Sequence, residues 1–188
     1  MKAKFLGISF EASFLTVALM SIVLILDKSG KVFLCFLCAI IHECGHLLAM
    51  MLFSVKPKSV VLRLFDIVID ADTDKSFLAD LVITLSGPIL NFLTAILFYF
   101  MSYPMFVISV FIGAFNLLPL ETFDGGHVLT LILSKKLCVV AVRRILRTLT
   151  FILLLPLFFI GILVLFYSKY NYSLLLISLY LLAILFTK

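Results

Sequence analysis

Apolar residues run along this chain in long, nearly unbroken blocks, near positions 12–26, 32–53, 77–99, 104–120, 149–167 and 171–187. A helix needs about twenty such residues to cross a hydrocarbon layer, so the pattern predicts about six transmembrane helices. The first and fourth blocks are short. Glu11, Pro104, Pro119 and Pro156 bound or interrupt apolar runs, which predicts broken, tilted or protein-shielded helices at those places. Two stretches depart from the pattern. Phe5 to Phe10, and Val60 to Ala71 with its VVLRLFDIVIDA, mix β-branched residues with partly alternating polarity and read as strands. With six spans they share one side of the membrane, where they could pair into a small sheet whose free edge accepts an extended peptide. Asp66, Asp70, Asp72 and Asp74 read as the solvated face of that run. The expected fold is therefore an all-α polytopic membrane protein with a small cytoplasmic β-sheet.

Composition agrees with a membrane protein. The 188 residues are 64% hydrophobic and 13% charged, with a mean hydropathy of +1.30, whereas soluble domains carry roughly 25% charged residues. Prolines and glycines are scattered and no long polar block occurs, so one domain over 1–188 is expected. The amino-terminal MKAKFLG continues into an apolar run with no A-x-A cleavage signal, which predicts a retained segment. Charge adds orientation. Of the 15 basic residues, three (Lys28, Lys31 and Lys169) fall on one side of a six-span topology and the other twelve share the opposite side with both termini. The positive-inside rule makes that side cytoplasmic, in a bacterial-type cell membrane. The net charge of +5 is then topology and attraction to anionic lipid, and nucleic-acid binding is not indicated. Arg143, Arg144 and Arg147 read as an amphipathic lead into the fifth span. Cys35, Cys38, Cys44 and Cys138 sit in apolar or amphipathic surroundings and imply no disulfide framework. Cys35 and Cys38 form a CxxC on the same helix face as His42, which would also suit a soft metal.

The second block contains the least expected residues, HECGH at 42–46. Histidines four apart stand one turn above each other on one helix face, so His42 and His46 can hold one Zn²⁺ while Glu43 reaches its water. Ionisable groups at membrane depth are costly and mark function by default. Cys44 lies about 200° around the helix from His42 and points elsewhere. A hydrolytic zinc usually has three protein ligands, so another is expected. The stretch Asn116-Leu-Leu-Pro119-Leu-Glu-Thr-Phe-Asp124-Gly125-Gly126-His127 offers Asp124, beside two glycines that let backbone approach closely. Glu121 and His127 are its rivals.

The pair HExxH and NxxPxxxxDGG resembles the site-2 protease family of intramembrane zinc metalloproteases, peptidase family M50. Ser86-Gly87-Pro88-Ile89-Leu90-Asn91 resembles the family's SGPxxN stretch, so the three motifs cover about 40–127 of the chain. The resemblance implies one zinc per chain on His42, His46 and Asp124, with Glu43 as general base and acid. It implies that Asn116, Pro119, Gly87, Pro88 and Asn91 shape the active site and substrate path. The implied partners are a membrane-associated protein substrate, the bilayer, and inhibitory or regulatory membrane proteins. The NLLPLETFDGG run is most similar to the family's sporulation branch, which processes a pro-sigma factor. That branch carries a nucleotide-binding CBS domain after its last span, and this chain ends at Lys188, which puts ATP regulation and sigma-factor recognition in doubt. Two other classes compete: a metal transporter, which would spread ligands along a path, and a noncatalytic relative that binds membrane helices, which would not need Glu43.

Overall fold

A computed structural model describes the backbone over 2–5, 8–12, 14–62, 67–71, 76–168 and 172–187. The described residues are mostly helical and divide into two compact units, Met1–Asn116 and Leu117–Lys188. The first unit carries strands β1 (Lys2–Phe5), β2 (Ile8–Ala12), β3 (Pro57–Leu62) and β4 (Ile67–Ala71) and helices α1 (Phe14–Leu26), α2 (Lys31–Leu52), α3 (Phe77–Phe98) and α4 (Tyr103–Asn116). Helices α5 (Asp124–Leu133), α6 (Val139–Ser168) and α7 (Ser173–Thr187) belong to the second.

The expectation of six spanning helices needs correction. Among the described residues three helices, α2, α3 and α6, have both the length and the apolarity to cross a membrane. Helices α1, α4 and α7 have 13, 14 and 15 residues, short of the required twenty or so. An apolar count does not register where a helix must stop. The block at 104–120 loses its last four residues because Pro119 lacks the N–H that a helix would need and Leu117–Leu120 turns instead. Helix α6 gains ten residues before the expected start, since Arg143, Arg144 and Arg147 are good helix formers that merely lower hydropathy.

The two expected strands are each a pair. Strand β1 pairs antiparallel with β2, β2 parallel with β3 and β3 antiparallel with β4, giving the order β1-β2-β3-β4. Residues 63–66 and 72–75, with Asp66, Asp72 and Asp74, lie outside the described residues.

Helix α2 is fixed at both ends by short-range chemistry. Before it, Asp27 accepts hydrogen bonds from the Ser29 amide (2.9 Å), the Ser29 hydroxyl (2.5 Å) and, through its other oxygen, the Val32 amide (2.7 Å). Gly30, at φ 69°, makes the turn that brings them together. The Ser29 hydroxyl and then the Val32 amide hold the Asp27 carboxyl below the usual aspartate range. The folded state therefore binds this proton less readily than the unfolded chain. The stabilisation is present above the ordinary value of about 3.9 and is lost as pH falls through the lowered folded value. Amide protection at Val32 should decline in that acid window in the wild type and be already low at neutral pH in Asp27→Ala; equal protection in the two at neutral pH would refute the cap. At the other end Ser54 takes φ 53°, its amide bonds to Met51 O at 3.1 Å, and Val55 N–H returns to Met50 O at 2.8 Å. This is the Schellman closure, in which the residue after the left-handed turn packs back on the helix. Val55 accordingly joins the buried cluster of Ala49, Met50 and Ile83.

Three helices of the first unit pack through small residues. The buried positions of α2 include Cys38, His42, Gly45, His46 and Ala49; those of α3 include Ile83, Gly87, Asn91 and Ala95; those of α4 are Met105, Ser109 and Gly113. Spacings of three and four put each set on one face. A Cβ added to Gly45 would sit 2.5 Å from Ser86 O, and one on Gly113 3.3 Å from Asn91 Cβ. Such close approach is how helices associate where the surroundings are as apolar as the helices.

Candidate metal centre

His42 and His46 stand on the buried stripe of α2, at 4% and 9% exposure. Each ring is held from behind by α3. His46 Nδ1 lies 2.8 Å from the Ile83 carbonyl oxygen, which can only accept, so Nδ1 carries the proton and Nε2 keeps a lone pair. His42 Nδ1 lies 3.2 Å from the side-chain amide of Asn91, which is completely buried. The two Nε2 atoms then face each other at 3.2 Å with the rings edge to face at 83°. Two imidazoles on one tetrahedral zinc, with Zn–N of about 2.0–2.1 Å, place their nitrogens about 3.3 Å apart. The pair fits such an ion.

Gly87 makes room for this arrangement. A Cβ there would overlap His46 Nε2 and stand 2.8 Å from His42 Nε2. Pro88 follows inside α3 and is fully buried; its missing N–H leaves the turn around Thr84 one helix bond short. Glu43 is half-buried, about 100° around α2 from His42. Cys44 is exposed, as its angular position predicts. The CxxC is separated by its surroundings: Cys38 is buried and bonded to Ser109 Oγ at 3.2 Å, whereas Cys35 is exposed. Asn116 closes α4 with its side-chain nitrogen donating to Ile112 O at 3.1 Å.

In the second unit the NxxPxxxxDGG run leads into α5. Leu120 is buried in a cluster with Leu154 and Leu181. Thr150 Oγ1 accepts the Glu121 amide at 3.1 Å, which ties the turn to α6. Asp124 is half-buried and opens α5, where the helix dipole favours a carboxylate. Gly125 and Gly126 are packed on backbone: a Cβ on the first would overlap Leu117 O, and on the second Leu120 O. No other residue could follow Asp124 so tightly. Glu121 is half-buried and His127 exposed.

The carbonyl of Ile83 and the small residue at Gly45 escaped the sequence reading. A backbone acceptor has no residue-type signature. Gly45, the fourth letter of HECGH, could have been read as a close-packing position.

Comparison with known proteins points in one direction. Residues 100–157 match peptidase family M50. The zinc metalloprotease MJ0392 of Methanocaldococcus jannaschii is 28% identical over 116 residues, which cover 55% of this chain and 34% of that protein. The chain thus matches about a third of the length of that curated relative. The solved structure of a site-2 protease from Methanocaldococcus jannaschii superimposes with a TM-score of 0.73 at 25% identity, covering 96% of this chain and 91% of the other.

Proposed function

From its likeness to peptidase family M50, the site-2 protease family, we infer that this chain is a zinc-dependent intramembrane endopeptidase. It hydrolyses a peptide bond in or beside a membrane-associated segment of a substrate protein. The observation that carries this reading is the pair of buried Nε2 atoms 3.2 Å apart with Glu43 on the same helix. The likeness to the family supports His42 and His46, both buried, as two of the ion's ligands and the carboxylate of Asp124 as the third. Zinc, when bound, supplies a water of lowered pKa and polarises the scissile carbonyl. Glu43 accepts the water's proton and returns it to the leaving amine. Asn116, Pro119, Gly87, Pro88 and Asn91 shape the space around the histidines and the path to them.

A helical substrate hides its carbonyls in i to i+4 bonds, so it must unwind locally before attack. The asymmetry of twelve basic residues against three supports an arrangement with both termini, the small sheet and the opening of the site on the cytoplasmic side of a multi-pass membrane protein. The similarity of NLLPLETFDGG to the sporulation branch supports a membrane-tethered regulator, such as a pro-sigma factor, as substrate class. The test is co-expression with pro-sigma factors and single-span anti-sigma factors, scoring Glu43-dependent products; products that persist without Glu43 would sink the reading. Asp124→Asn should lower zinc retention of the purified protein by at least ~10-fold, since a neutral amide is a poor ligand. Unchanged zinc content would transfer the third-ligand role to Glu121 or His127.

A further inference from the structure

We propose that Asn91 is the positioning residue of the metal centre: its side-chain amide selects which nitrogen of His42 faces the ion. The inference rests on the zinc reading above and adds a role that packing alone would not require. Asn91 is at 0% exposure, its amide meets His42 Nδ1 at 3.2 Å, and its other polar atom, Oδ1, is buried without a hydrogen-bond partner. Leaving an amide oxygen buried without a partner forfeits its hydration with nothing in return.

The orientation of the amide decides the chemistry. With Nδ2 toward the ring, Asn91 donates to Nδ1, so the neutral imidazole carries its proton on Nε2. That proton can be donated to His46 Nε2, 3.2 Å away, whose own Nδ1–H is committed to Ile83 O at 2.8 Å. In this arrangement the His42 Nε2 proton occupies the His46 Nε2 lone pair, so neither Nε2 presents a lone pair to an ion. Turning the amide by about 180° places Oδ1 in the same position, because the two ends of the group are nearly the same size. Oδ1 then accepts Nδ1–H and both Nε2 lone pairs face one point, while Nδ2 takes the buried position that Oδ1 vacates. One proton leaves Nε2 and one is taken up at Nδ1 through solvent, so the net proton count of His42 is unchanged. Asn91 is thus suited to an ion-free and an ion-bound state, where a carboxylate would favour only the second. Gly113, whose Cβ would stand 3.3 Å from Asn91 Cβ, keeps the side chain close to α4 on its far side.

The experiment compares zinc affinity, by chelator competition on the detergent-solubilised full chain, in wild type, Asn91→Leu and Asn91→Asp. Leucine fills the site but cannot accept Nδ1–H, and affinity should fall about 10- to 100-fold. Aspartate accepts it and should stay within about 3-fold of wild type, whereas a purely packing role would treat leucine and aspartate alike. Nitrogen-15 NMR of histidine-labelled wild type provides a second measurement independent of how the variants fold: zinc-loaded His42 should be protonated at Nδ1. Wild-type affinity in Asn91→Leu, loss in Asn91→Asp equal to that in Asn91→Leu, or an unprotonated Nδ1 in the loaded wild type would each overturn the proposal while leaving the protease reading in place. Failure of the wild type to take up zinc would overturn both.

Discussion

Replacing Glu43 with glutamine should reduce substrate cleavage by about 10²- to 10⁴-fold, the usual contribution of a positioned general base, while zinc content and thermal stability stay near those of wild type. The side chains are nearly isosteric and Glu43 is half-buried, so the substitution removes the basic oxygen without opening a cavity. His42 and His46 retain their partners on α3, Asn91 and Ile83 O. Cleavage within ~10-fold of wild type would show that proton transfer runs through another group and that the role assigned to Glu43 is wrong. Loss of zinc together with activity would instead make Glu43 part of the ion's binding set.

Gly87→Ala should have the opposite signature, with zinc lost before anything else. The added methyl would overlap His46 Nε2 and lie 2.8 Å from His42 Nε2, so the two imidazoles must separate or α3 must retreat. Overpacking of this kind costs about 1–3 kcal/mol, which corresponds to about 5- to 150-fold in zinc affinity if the rings are what yields. Gly45→Ala is the informative control. Its methyl would meet backbone, Ser86 O at 2.5 Å and Gly87 Cα at 3.0 Å, so it should lower thermal stability of the whole α2–α3 pair. Zinc affinity unchanged in Gly87→Ala would mean that the rings do not meet the ion through the nitrogens that face each other.

The distinction between these glycines shows what reading the chain can reach. His42, Glu43 and His46 were recognisable because one helical turn relates His42 to His46, and a period needs no partner to be seen. Asp124 could be singled out for a similar reason: Pro119, Gly125 and Gly126 announce a turn next to a carboxylate. Span counting failed at 104–120 because hydropathy sums transfer energy and is blind to a proline that ends the helix at Asn116. The expected single strands became antiparallel pairs because alternation tells which face a side chain takes and not where one strand stops and the next begins.

Chain chemistry alone determined that this is a membrane protein, that two imidazoles share one face of an apolar helix, and that a glutamate sits beside them. These follow from composition and from the 3.6-residue turn, both local properties. The fold decided which nitrogens face each other, since Asn91 and the Ile83 carbonyl lie 49 and 37 residues away in sequence from the rings they hold. It also gave Gly87 its purpose, because the need for an absent Cβ arises only when α3 is pressed against α2. Local periodicity can place ligands on a face, but the direction of a lone pair is set by whatever packs behind the ring, and that contact is long-range.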